Sequence, residues 1–146
     1  MTSSTRPLAR AVLVGACAFG SVASAAPALP DAQHYGSIEY IVGGIGHDES
    51  EAIEHASAQW PLSVEFAEKD GAHSDFVADV HVVVRDAKGK AVLKTDSAGP
   101  FLLARLAPGH YTVHASLGGK LLEQAIDVKS TPSHRALMLW PAGTHG

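Results

Sequence analysis

The chain has 146 residues, 46% of them hydrophobic and only 18% charged, with 11 Lys and Arg against 15 Asp and Glu. Those proportions argue for one compact domain and against a disordered tail or a multidomain enzyme. The net charge of -4 argues against a nucleic-acid binder, which needs a clustered basic face to attract phosphates.

The first 25 residues read as a secretory leader. Arg6 and Arg10 precede the apolar run Ala11 to Phe19, and the small-residue site Ala23-Ser24-Ala25 follows, so cleavage is expected after Ala25. The run is too short to span a bilayer, and no later segment is apolar for long enough, so no transmembrane anchor is expected. One alternative stays open: Leu13-Val14-Gly15-Ala16-Cys17 resembles a bacterial lipobox, in which Cys17 would be lipidated. Loss of the leader removes Arg6 and Arg10 and no acid, leaving 9 basic against 15 acidic residues, a net -6. It also removes the single cysteine, and with it any disulfide or thiolate site.

Residues 26–36 lack periodicity and read as a flexible lead-in. Residues 37–61 read as a short strand (Ser37 to Val42), a glycine-rich loop (Gly43-Gly44-Ile45-Gly46) and a short amphipathic helix from about Glu49 to Ala58. Asp48 followed by Glu51 looks like a capping box, Ala52, Ile53 and Ala56 recur at helical spacing, and Pro61 stops the helix. From Leu62 the period becomes two. Leu62, Val64 and Phe66 alternate with Ser63 and Glu65, and Phe76, Ala78, Val80, Val82 and Val84 read as the core face of one long strand. Further strands are expected over Ala91 to Thr95, Phe101 to Leu106, His110 to Ser116, Leu121 to Val128 and Arg135 to Trp140. Seven strands with short, turn-bounded connections predict a mainly β, antiparallel Greek-key sandwich over residues 62–141, followed by a tail, 142–146.

Within that stretch, Val82-Val83-Val84-Arg85-Asp86-Ala87-Lys88-Gly89-Lys90-Ala91-Val92, then Gly99-Pro100-Phe101, then Leu106-Ala107-Pro108-Gly109-His110-Tyr111 through Ala115 and Gly118-Gly119, is similar to the carboxypeptidase regulatory-like domains of the transthyretin-like sandwich class. The resemblance covers roughly Val80 to Val128. It implies a fold, in which Pro108 and Gly109 set a turn and Tyr111, Val113 and Ala115 point inward, and says little of function, since such domains usually accompany peptidases, receptors or adhesins as appendages. Enzymes of the transthyretin class that hydrolyse 5-hydroxyisourate end in Tyr-Arg-Gly-Ser. This chain ends Trp140-Pro141-Ala142-Gly143-Thr144-His145-Gly146, and that activity is not expected.

Nine histidines follow the leader. On the strand reading, His110 and His114 share a non-core face with Thr112, and His81 lies on the non-core face of its own strand. Histidines four apart on one strand sit about 13 Å apart, so a metal site would need His81 facing His110 or His114, completed by Asp79 or another carboxylate. The other candidate is a partner surface on Gly44, Gly46, His47, Asp48 and Glu49, where a glycine-rich loop enters a helix. No Lys follows it as in a phosphate loop, and acids already occupy the helix start. Trp60 and Trp140 each adjoin a proline and a strand end and read as core. No cofactor is expected, and no catalytic set can be assembled. The expected role is an exported, non-enzymatic binding or accessory module of the cell envelope, periplasmic or secreted, meeting a protein, peptide or glycan. A periplasmic metal-binding protein and an envelope hydrolase are the alternatives.

Overall fold

A computed structural model describes residues 28–131 and 134–145, together with Gly15, Gly20 and Ser21. The leader, its cleavage site and the lipobox cysteine lie outside the described residues. No helix among the described residues is long and apolar enough to cross a membrane.

The described residues are mainly β, forming two sheets and one short helix. In chain order the elements are β1 (Gln33–Tyr35), β2 (Ile38–Gly43), α1 (His47–Ser57), β3 (Leu62–Asp70), β4 (His73–Phe76), β5 (Val80–Asp86), β6 (Ala91–Ser97), β7 (Phe101–Ala104), β8 (Gly109–Leu117), β9 (Lys120–Val128) and β10 (His134–Trp140). The larger sheet runs β1-β2-β7-β3-β10, with β4 also paired to β3, and the smaller runs β6-β5-β8-β9. β7 and β4 lie end to end along one edge of β3, bonded to Leu62–Glu65 and to Ala67–Asp70 respectively.

Strict alternation on β5 sends Val80, Val82 and Val84 inward with no exposed surface, where they meet Leu93, Val113 and Ala115 of the same sheet and Leu62, Val64, Phe66 and Leu102 of the other. Each such side chain contributes about 1.5–3 kcal/mol by leaving water. β7 is different: all four of its residues are buried, because Leu102 and Ala104 enter the main core while Phe101 and Leu103 join a second cluster with Ile41, Ile53 and Trp60 beneath α1. An unbroken apolar run is what a strand covered on both faces requires. Trp140 closes one end of the core, its ring centroid 6.2 Å from that of Phe66 and its indole N–H donating to the carbonyl of Lys120 at 3.0 Å. Both tryptophans are core residues, as expected.

Several expectations are corrected. The long strand from Phe76 does not exist: β4 ends there, Asp79 adopts φ 59°, and the chain crosses from the larger sheet to the smaller before β5 begins. Phe76 is consequently exposed. The sandwich is not wholly antiparallel, since β10 pairs with β3 in parallel along its full length, His134 opposite Leu62 through Trp140 opposite Glu68. The connection between them is the rest of the sandwich, so no crossover helix is needed. The described residues form ten strands, the lead-in supplying β1 opposite β2. The tail is anchored, because the carboxylate of Glu68 accepts from the backbone N–H groups of Thr144 and His145 at 2.9 and 3.0 Å.

Candidate binding surface

The glycine-rich loop folds as it does because two of its residues leave no room for side chains. Gly44 has φ 97°, and a Cβ there would lie 2.4 Å from the ring of Phe101. The helix that follows begins without a side-chain N-cap: Gly46 holds that position, and Asp48 does not cap it. The bonding runs the other way. Glu49 reaches back so that its Oε1 accepts from the N–H of Gly44 at 2.7 Å, and Ser50 Oγ donates to the Gly44 carbonyl at 2.6 Å. The Gly44 and Ile45 donors are therefore taken by the protein's own carboxylate, whose charge sits where an anion would bind.

Beside this loop lies a groove of about 430 Å³. Its floor is Gly99 and Pro100, one wall is Gly44 to His47, and the other is Phe76, Val77 and Ala78. Ile45 and Phe76 stand at its rims, 64% and 54% exposed. Of the residues expected at a partner surface, Gly44, Gly46 and His47 line the groove. Asp48 is exposed on the first helical turn, and Glu49 is turned onto the loop. His47 lies 3.6 Å from Glu51 in an exposed pair. Phe76 and Ala78 were not expected here, because alternation alone placed them in the core.

The apolar rim continues across the outer face of the larger sheet. The register sets Phe76, Ala67 and Leu139 in one row across β4, β3 and β10, and Phe101, Glu65 and Leu137 in the next. Phe76 packs on Phe101 with ring centroids 5.4 Å apart. Glu65 sits in this setting with its carboxyl pushed up by burial, against the lowering effect of Arg135 and with a further raising contribution from Glu54. On the other flank of α1, Arg105 lies 4.1 Å over the Trp60 ring, and its Nε donates to Glu39 at 3.1 Å. That pair ties the loop after β7 to β2.

His81, His110 and His114 occupy the outer face of the smaller sheet, as alternation predicts, but they do not converge. Nδ1 of His81 lies 2.5 Å from Asp96 on β6, that of His114 lies 3.1 Å from Glu123 on β9, and His110 pairs with Asp127 on β9. His81 is opposite Ser116, so His114 is only diagonal to it across β5 and β8, and the two rings lean toward opposite edges. His110 is six positions from Ser116 on β8, about 20 Å along the strand. Among the described residues no three His, Cys, Asp or Glu side chains come together closely enough to hold a metal ion. Nearby, Tyr111 donates its hydroxyl to the Ala107 carbonyl at 2.7 Å across the Pro108-Gly109 turn, and its pKa is raised by burial first and by Asp86 second.

No family model matches the chain, and no curated protein matches it. Among solved structures it is similar to the Bacillus anthracis TIE protein, at 13% identity over 56% of this chain with a TM-score of 0.35. The chain spans 16% of that protein's length.

Proposed function

We propose that this chain is an exported, non-catalytic accessory module of the cell envelope that docks on a partner protein through the groove between Ile45 and Phe76. The observation that carries the reading is the exposure of those two large apolar side chains at the rims of a groove with a held backbone. Monomeric surfaces leave scattered apolar residues, but a paired apolar rim around a concavity is the usual signature of a contact site. The lining is mostly apolar, with His47 and Ser50 its two polar side chains and the Ser50 hydroxyl already bonded to the Gly44 carbonyl, so a protein's apolar side chain is the better fit.

The leader supports export, and the local build of Leu106 to Tyr111 supports a carboxypeptidase regulatory-like, transthyretin-type sandwich. In such domains the framework is a scaffold, and activity resides in what is grafted on it. No specific observation favours the metal-binding alternative, since His81, His110 and His114 each lean on a separate carboxylate.

Site-specific photo-crosslinking in the producing cell tests the reading. A photoreactive phenylalanine analogue at Ile45 or at Phe76 should capture the same partner band, while the analogue at Lys94, on the opposite sheet, should not. Absence of a band from the groove positions, or equal capture from Lys94, overturns it.

A further inference from the structure

Among the described residues five strands have one side without a strand partner, and they are not alike: β4, for one, has four residues and carries Asp75. β1 has three residues. β6 carries the exposed charges Lys94 and Asp96 and faces a register shift at Val84/Arg85. β9 exposes Lys120, Glu123 and Asp127. Short length, charge and irregularity are the devices that keep an edge from pairing with another chain. β10 is longer than β1 and β4 and regular, and its one charged residue, Arg135, stands near its start. Its seven residues are in unbroken register with β3, and from Ala136 to Trp140 it carries no charge, no proline and no glycine. Ala136, Met138 and Trp140 fill the core, while Leu137 stands on the outer face, 51% exposed.

An open edge of backbone N–H and C=O groups is a template on which another extended backbone can pair in place of water. We propose that the occupant is β10 of a second copy, paired antiparallel about a two-fold axis at Leu137. A two-fold contact must match itself, and this strand does. Centred on Leu137, the pairing sets Leu137 against its own copy, Ala136 against Met138, and Arg135 against Leu139. Inward residues stay in their own cores, the exposed leucines cover each other, and no like charges face directly across the strands. Both copies are acidic, with a net charge of -4 over the whole chain, and β10 is the long edge at which they meet without opposing carboxylates. The two larger sheets then become one continuous sheet. A single strand pair is smaller than the roughly 1,200 Å² of a standard stable interface, so the association is concentration-dependent. This proposal is independent of the groove and stands or falls separately from it.

Three variants of the full-length protein test it. In sedimentation velocity the parent should shift from monomer to dimer as concentration rises. Leu137→Lys, which sets two ammonium groups face to face, should remain monomeric with an unchanged melting curve. In a Cys17→Ser background, Leu137→Cys should oxidise to a disulfide-linked dimer, and Leu121→Cys, exposed on the β9 edge, should not. A parent that is monomeric at every concentration, a dimer that survives Leu137→Lys, or equal crosslinking through Leu121→Cys overturns the proposal.

Discussion

A methyl group added at Gly99 would lie 2.2 Å from the carbonyl oxygen of Gly43 and 2.3 Å from its carbonyl carbon. Both obstacles are backbone, so nothing soft can give way. Gly99→Ala should destabilise the protein by about 1–3 kcal/mol, read as a lower urea midpoint at unchanged slope. Glu65 works in the opposite sense. Burial lifts its folded-state pKa above that of the unfolded chain, so its contribution is complete below the ordinary carboxylate range and is lost as pH rises through the folded value. Glu65→Gln should therefore melt higher than the parent at about pH 7, and the gap should close as pH falls to about 4. The sequence shows Glu65 as one polar position in an alternating strand. Its burial depends on α1 and β10 lying on either side, which no local pattern records.

At the scale of elements, α1 and its glycine loop form one unit. Ile53 is fully buried in the cluster with Trp60, Phe101 and Leu103, and Glu49 clasps the loop. Glu49→Ala frees the Gly44 and Ile45 amides and should cost about 0.5–2 kcal/mol, the range for losing a helix-terminal side-chain bond. It should also reduce photo-capture from Ile45, with Glu49→Gln restoring much of it because the amide oxygen can still accept. The helix was legible from Ala52, Ile53 and Ala56, and β5 from Val80, Val82 and Val84. β4 was misread because Phe76 and Ala78 keep the same phase as the valines, and the break is a single φ 59° at Asp79, a conformation aspartate tolerates but does not announce. β1 was missed because all three of its residues are exposed, so it leaves no hydrophobic trace. The histidine face was legible and its partners were not, because cross-strand neighbours depend on registers among four strands.

For the whole molecule, the parallel closure of β3 by β10 was also beyond the sequence, since a period of two is the same for either strand direction. The processing reading can be checked directly. The intact mass of the exported protein should correspond to a chain beginning at Ala26, whereas an acylated Cys17 at the amino terminus would establish the lipobox alternative. The closure has a further consequence for how such a chain reaches its destination. β3 is a central strand of the larger sheet, yet one of its two long sides is filled only by residues 72 positions downstream, His134 against Leu62. Contacts so distant in sequence form slowly. A polypeptide threaded through a secretion channel amino end first keeps that side bare until residues 134–140 emerge. On the export proposed above, the same geometry that seals the finished protein would delay its own completion and keep the chain pliable in transit.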